Sequence, residues 1–183
     1  LETHQKNNFR SPNKIAIIYA NGQIMDGVSL SDVAGDRFAS IAESVRKDST
    51  IKAVVLRVNS PGGSVVASEK IKTELDLLGD DKLLVASYGD YAASGGYWIS
   101  NNCRRIFSDK GTLTGSICVF SMIPDFSSTI NDLAHVNIVS INSNRHSDMY
   151  SLSRALDAEE TEYMQASVED IYERFVNIVS EGR

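Results

Sequence analysis

The sequence predicts an α/β fold built on a mostly parallel sheet, and three observations carry that prediction. β-Branched apolar runs alternate with amphipathic stretches, from Lys14–Ala20 through Ser31–Lys47, Ile51–Asn59, Ser64–Leu78 and Lys82–Tyr88. Two of the junctions where a strand gives way to a helix carry Gly-Gly pairs. The chain also closes on a long amphipathic helix with an acidic start. Its 183 residues suit one ordinary domain, and 42% hydrophobic residues, 23% charged residues and 3 prolines are those of a globular chain rather than a disordered or repetitive one.

Each element has its own warrant. Leu1–Asn13 is polar with a Ser-Pro pair, so it is expected to be a flexible lead or linker. KIAIIYA (14–20) ends at Asn-Gly, the mark of a strand running into a turn. From Ser31, Val33, Phe38, Ile41 and Val45 fall near one helical face, and Arg46 and Lys47 suit the negative C-terminal end. IKAVVLRVN (51–59) is a strand, Ser60-Pro61-Gly62-Gly63 a turn, and Ser64–Leu78 a helix. Lys82–Tyr88 is a strand, followed by a short loop and a small-residue helix from Ser94 to about Asn101. Beyond Arg104, RRIFSD, TLTGSICVF and VNIVSIN are expected to be peripheral strands, with a helical piece around Ser127–Ala134. Asp157-Ala158-Glu159-Glu160 is a capping-box pattern opening the last helix. Met164, Val168, Ile171, Phe175 and Ile178 form its apolar face, expected to pack on the core.

Charge and cysteine usage narrow the function classes. Lys+Arg 18 against Asp+Glu 24 gives a net charge of −6 with no basic stripe, which argues against a nucleic acid partner. The apolar runs Ile15–Ala20 and Ala53–Leu56 fall far short of the roughly 20 residues that span a bilayer. The polar Leu1–Asn13 lacks the apolar core of a secretory signal, so a signal or anchor is expected only outside these residues. Cys103 and Cys118 have neither metal-ligand spacing nor disulfide density and read as buried or half-buried free thiols.

In an open parallel sheet, ligands gather at the carboxyl ends of the strands, where both Gly-Gly turns fall. Glycine permits positive φ and a close approach to the main chain, while the first N–H groups of a following helix have no intrahelical acceptor. Such a turn traps anions. In Ser60-Pro61-Gly62-Gly63 no side chain is an obvious nucleophile, so the turn is assigned a backbone donor role in an oxyanion hole. Ala92-Ala93-Ser94-Gly95-Gly96 instead places an accessible hydroxyl at its turn, making Ser94 the candidate nucleophile. A tetrahedral intermediate there would take the Gly95 and Gly63 N–H groups, with Gly62 the alternative to Gly63.

VVLRVNSPGG (54–63), GDYAASGGY (89–97) and TLTGSICV (112–119) together resemble the signal peptide peptidase A (protease IV) serine peptidases, relatives of the Clp protease proteolytic subunit and the crotonase fold. The segments stand in the family's order with similar intervening lengths, and the resemblance covers nearly the whole chain after Asn13. It implies a ββα spiral in one peptidase domain over residues 14–183, with Ser94 as the acylating serine. It also implies that the Ser-Pro-Gly-Gly turn lends a backbone N–H and that Thr114, Gly115 and Ser116 line the wall beside the nucleophile.

The family uses a Ser-Lys dyad, in which a lysine kept neutral by burial removes the serine proton. Single-half members place that lysine in the segment corresponding to Asn142–Arg154, which here holds none. Arg145 cannot replace it, because a guanidinium stays protonated. Lys14, Lys52 and Lys82 open strands at the edge away from Ser94, and Lys47, Lys70 and Lys72 sit on helices where lysine normally meets solvent. Lys110 is the remaining weak candidate, although Ser-Asp-Lys-Gly reads first as an exposed turn. Of the histidines, His4 lies in the lead and His135 ends a helical piece, while His146 beside Asp148 is a second weak candidate as base.

The resemblance accounts for the missing lysine. Long members look like two tandem copies, the C-terminal one holding the serine and the N-terminal one the lysine. Ser151-Leu152-Ser153-Arg154-Ala155-Leu156 is similar to the long form's C-terminal half. The implied protein is a homo-oligomeric endopeptidase, membrane-associated on the extracytoplasmic side through segments outside these residues. It would cut hydrophobic signal-peptide remnants without metal or cofactor, and its N-terminal half would be a required partner. Two alternatives stand beside it: a crotonase-type acyl-thioester enzyme, which needs no serine, and a non-catalytic structural half. An α/β-hydrolase is disfavoured because Ala92 breaks the Gly-x-Ser-x-Gly elbow.

Overall fold

The computed structural model describes residues 11–30 and 32–183. Residues 1–10 of the expected lead, His4 among them, and Ser31, where the first helix was expected to open, lie outside the described residues. Two compact units follow from the chain trace: one runs to Ile117 and resumes over Phe175–Arg183, and the other is Cys118–Arg174.

The first unit holds the sheet. Strands β1 (Lys14–Asn21), β4 (Ile51–Ser60) and β5 (Leu83–Ala93) lie side by side. β6 (Ile106–Phe107) and β7 (Leu113–Gly115) share the far side of β5, and every pairing is parallel. Parallel strands need crossovers. Helix α1 (Gly35–Lys47) links β1 to β4, and α2 (Val65–Asp81) links β4 to β5. A second, two-stranded parallel sheet joins β2 (Ile24–Met25) to β3 (Val33–Ala34), and Ile24 also bridges to Gly63. This small sheet ties the Asn21–Gly22 turn to the first Gly-Gly turn.

Alternation along the strands decides the core. Ile18 and Ala20, Val54, Leu56 and Val58, and Leu84, Ala86 and Tyr88 are buried together against Phe38 and Ala42 of α1 and Ile71, Leu75 and Leu78 of α2. Ser64 caps α2, its Oγ accepting the Ala67 N–H at 3.2 Å. Burying a Leu or Phe contributes about 1.5–3 kcal/mol, so this layer dominates the unit's stability.

The strand-helix alternation expected from sequence is present, with five differences, the first being that of the expected strand TLTGSICVF only Leu113–Gly115 pairs with β5. α1 opens at Gly35 because Val33 and Ala34 are taken by the small sheet. The loop expected after Tyr88 is strand, so β5 runs straight into the turn at Ser94. The small-residue helix is the single turn α3 (Gly95–Trp98), since Ile99 and the residues after it turn away. VNIVSIN is not a strand: its Val139 and Ile141 are 79% and 98% exposed, with no neighbouring strand to pair the backbone.

In the second unit a π-helical turn, Thr129–Leu133, occupies the expected helical piece. The capping box forms as expected: the Glu160 N–H donates to Asp157 Oδ1 (2.8 Å) and the Asp157 N–H to Glu160 Oε2 (2.9 Å). It opens α4 (Ala158–Gly182). The apolar face is divided, with only Phe175 and Ile178, near the C-terminal end, fully buried. Within the first unit Phe175 meets Trp98 with ring centroids 4.6 Å apart, and Arg183 Nη2 donates to the Cys103 carbonyl (2.9 Å). No helix among the described residues is long and apolar enough to cross a membrane.

The two thiols separate. Cys103 is buried, and burial pushes its pKa up to about 12, whereas Cys118 is exposed rather than half-buried. Titration of the native protein with a thiol-reactive disulfide at neutral pH is therefore expected to release one equivalent promptly and the second only on unfolding. Two rapid equivalents would contradict the packing around Cys103.

Candidate active site

Ser94 stands where β5 ends and α3 begins, with φ 50° and ψ −119°. An L-residue held there stores on the order of 1–3 kcal/mol of strain, so its surroundings must impose the conformation. They do so on both sides of the peptide. The Ser94 N–H donates to the Gly115 carbonyl (2.8 Å), and the Ser94 carbonyl accepts the N–H groups of Tyr97 and Trp98, both at 2.9 Å. Trp98 is in turn held by Phe175 and by its indole N–H, which donates to Glu69 Oε2 (3.0 Å). The side chain of Ser94 is half-buried, and its Oγ has no hydrogen-bond partner among the described residues.

The two glycine turns meet. A Cβ built on Gly62 would lie 2.6 Å from the Gly95 nitrogen and 2.8 Å from Ser94 Cβ, and one built on Gly95 would lie 3.2 Å from Gly62 Cα. One on Gly96 would strike the Ser60 carbonyl at 2.7 Å. Backbone therefore packs on backbone, which only glycine permits. Gly62 also has φ +98°, in the region side chains avoid.

Donor availability distinguishes the glycines. The Gly62 N–H is engaged by Ser60 Oγ (3.2 Å). The Gly62 carbonyl accepts from Ile24 N–H (2.9 Å) and the Ser64 N–H donates to the Ile24 carbonyl (2.8 Å). The Gly63 N–H, alternating along this extended segment, thus points away from Ile24. Among the described residues neither the Gly63 nor the Gly95 N–H has an acceptor. Both belong to glycines singled out from the sequence, whereas the Gly62 N–H is bonded.

Thr114, Gly115 and Ser116, the expected wall, lie along β5 and just beyond its partner strand. Thr114 and Gly115 on β7 pair with Ala92 and Ala93 of β5, and Thr114 Oγ1 donates to the Ala92 carbonyl (2.9 Å). Gly115 and Ser116 both have positive φ, 84° and 51°, turning the chain just past the hydrogen bond from Ser94.

The weak base candidates have other surroundings. Lys110 is exposed in a turn closed by the Thr112 N–H donating to the Asp109 carbonyl (3.2 Å). That turn precedes Leu113, which pairs with Tyr91, three residues before Ser94. Lys47, Lys70 and Lys72 pair with Glu43, Asp36 and Asp76, and Lys82 Nζ donates to the Val45 carbonyl (2.7 Å). Lys72 is buried rather than solvent-facing, because its ammonium is neutralised by Asp76 one turn on. Lys14 and Lys52 are exposed at the amino ends of β1 and β4.

His146 belongs to the second unit, where a different network holds it. Its Nδ1 lies 3.1 Å from Glu160 Oε1, while Asp148, its expected partner, is taken by Arg154 (Nη2 to Oδ1, 2.7 Å). Arg154 also grips both Glu160 oxygens, at 2.6 and 2.7 Å. His146, Asp157 and Glu160 bring ligand atoms within 4.8 Å of one another, the spacing a metal could use. The Glu160 oxygens are already committed to Arg154 and the Asp157 N–H, so the guanidinium supplies the cation there. Sequence reading passed over this network, although Arg154 and Glu160 are six residues apart.

Comparison with known proteins now has a geometry to meet. The profile of peptidase family S49 matches residues 77–183. The chain is 41% identical to Protease 4 of Haemophilus influenzae over 96% of its own length, and 43% identical to Protease 4 of Salmonella typhi over 92%. It spans only 28% and 27% of those two relatives. Among solved structures, a ClpP1 mutant from Listeria monocytogenes superposes with a TM-score of 0.58 at 14% identity, covering 91% of this chain and 71% of that one, which supports the Clp protease fold.

Two predictions follow from the geometry. Gly62→Ala places a methyl group against the Gly95 nitrogen; it is expected to slow phosphonylation of Ser94 by a fluorophosphonate, which expels fluoride as the Oγ–P bond forms, at least 100-fold while the far-ultraviolet circular dichroism remains native. Labelling at the parent rate would contradict the convergence of the two turns. The second concerns acid. The hydrogen bonds of Arg154 hold the Asp148 carboxyl down to about 2 and Glu160 lower still. Their stabilisation is complete above the unfolded carboxyl value of about 4 and is lost as pH falls through the folded values. Protection of the amides at the start of α4, taken as the exchange rate relative to that of an unstructured peptide at the same pH, should fall between about pH 4 and pH 2, and Arg154→Ala should flatten that dependence. An unchanged pH profile in the variant would count against the network.

The strained serine, the paired glycine turns and the family profile agree, and the chain belongs to peptidase family S49.

Proposed function

We propose that this chain is the serine-bearing half of an endopeptidase in which Ser94 is the nucleophile. The observation that carries the reading is the Ser94 backbone, held at positive φ with the Gly95 N–H unpaired against Gly62. In this mechanism a neutral base takes the Ser94 proton as Oγ attacks the scissile carbonyl carbon. The carbonyl oxygen becomes an oxyanion between the Gly63 and Gly95 N–H groups, and the base then delivers its proton to the leaving amine. Water, deprotonated by the same base, hydrolyses the ester and restores the serine. A backbone oxyanion hole contributes about 10²–10³ in rate per donor and needs no metal.

The base in this reading is a lysine from a preceding homologous half, kept neutral by burial at the junction. Two facts support it: no described lysine is hydrogen-bonded to Ser94, and the chain spans only about a quarter of the Protease 4 relatives. The substrates are hydrophobic, small-residue-rich peptides such as signal-peptide remnants. Several copies assemble around a shared groove, at the extracytoplasmic face of a membrane reached through other segments. These last features follow the family resemblance and the Clp-like fold.

Fluorophosphonate labelling of Ser94 and peptide turnover test the reading. The residues 1–183 alone are expected to label and turn over poorly, the complete polypeptide well, and its Ser94→Ala variant not at all. Robust turnover by residues 1–183 alone, lost on Lys110→Ala, would overturn the trans-acting lysine. An unaltered Ser94→Ala variant that binds acyl thioesters would instead favour crotonase-type chemistry.

A further inference from the structure

The ladder between β4 and β5 breaks just before both glycine turns. Val58 pairs with Tyr88 and Ser60 with Ala92, so Gly89, Asp90 and Tyr91 all stand opposite the single residue Asn59. The two extra residues of this bulge take backbone N–H groups off the ladder. Asp90 and Tyr91 are exposed, and a side chain rather than the neighbouring strand supplies the acceptor for their N–H groups. Asn59 Oδ1 receives the N–H groups of Asp90 (3.0 Å) and Tyr91 (3.1 Å). Its Nδ2 donates to Asn21 Oδ1 (3.0 Å), and its carbonyl accepts the Gly22 N–H (3.0 Å). One carboxamide thus staples the carboxyl ends of β1, β4 and β5. Gly89 makes room for it, since a Cβ there would lie 2.9 Å from Asn59 Oδ1.

We infer that Asn59 is a positioning residue for the reaction: its carboxamide fixes the bulge whose length brings Ser94 and the Gly95 N–H over the Gly62–Gly63 turn. Asn59 begins the turn-bearing end of β4, and the bulge begins the last stretch of β5, so both halves of the site leave from this one side chain. A bulge that relaxes into the regular ladder shifts β5 by two residue steps, about 6–7 Å, against β4, far beyond the tolerance of an oxyanion hole. Asn59 does not touch substrate. It acts through the placement of Ser94 and the two donors, and the inference rests on the reading of Ser94 as nucleophile.

The test is made in the complete polypeptide with three variants. Asn59→Leu keeps the volume without the acceptor, Asn59→Asp keeps the acceptor without the Asn21 contact, and Gly89→Ala leaves the carboxamide but crowds it out. Asn59→Leu and Gly89→Ala are expected to lower kcat and the fluorophosphonate acylation rate about 10- to 100-fold, with KM for a peptide ester within about twofold. Asn59→Asp is expected to recover most of the rate. The inference is overturned if folded Asn59→Leu acylates within twofold of the parent, or, should that variant not fold, if Gly89→Ala does. It is overturned as well if KM rises alone or if Asn59→Asp is as slow as Asn59→Leu. A parent protein whose activity survives Ser94→Ala removes the underlying reading, and this inference with it, a result separable from all the others.

Discussion

The approach of one glycine backbone to another, Gly62 against Gly95, is the constraint around which the first unit is organised. No side chain fits between them, so the β4–α2 turn and the β5–α3 turn share a single surface of bare peptide groups. Everything nearby serves that contact. The small β2–β3 sheet pins Gly63 through Ile24, β7 pins Ser94 through Gly115, and the Trp98–Phe175 pair anchors α3 from beneath. The strain at Ser94 is thereby offset by hydrogen bonds and aromatic packing that a relaxed serine would forfeit. Peptide N–H groups held in place before a reaction cost no reorganisation when charge develops, which is why rigidity at these turns translates into chemistry.

Much of this was legible in the sequence because it rests on local rules. The alternation of Val54, Leu56 and Val58 announces a strand with a buried face, and Asp157 with Glu160 announces a helix start, and both take the forms those patterns require. The Gly-Gly pairs point to close backbone approach because no other residue tolerates it. What escaped depended on partners distant in the chain. Val33 looked helical but is claimed by Ile24, and Gly89–Ala93 looked like a loop but is strand because Asn59 and β7 complete its hydrogen bonds. VNIVSIN has the composition of a strand, yet no strand lies beside it to pair. Propensity describes what a segment can do, and the sheet decides which segments are recruited.

The two units divide the work in a chemically coherent way. In the first, Ser94 stands beside N–H groups without acceptors, and the described lysines are either paired with carboxylates or carbonyls or exposed. The second uses Arg154 to neutralise Asp148 and the buried Glu160, in the stretch where shorter relatives are expected to carry their lysine. A guanidinium committed to two carboxylates is a structural cation and has no proton to exchange near neutrality.

The account turns on whether the Gly63 and Gly95 N–H groups serve one oxygen. A crystal structure of the complete polypeptide phosphonylated at Ser94 measures this directly. The account predicts a phosphonyl oxygen about 2.7–3.1 Å from both nitrogens, with Gly62 still bonded to Ser60. A phosphonyl oxygen turned to solvent, or one bonded to side chains with the two glycine nitrogens pointing elsewhere, would contradict it.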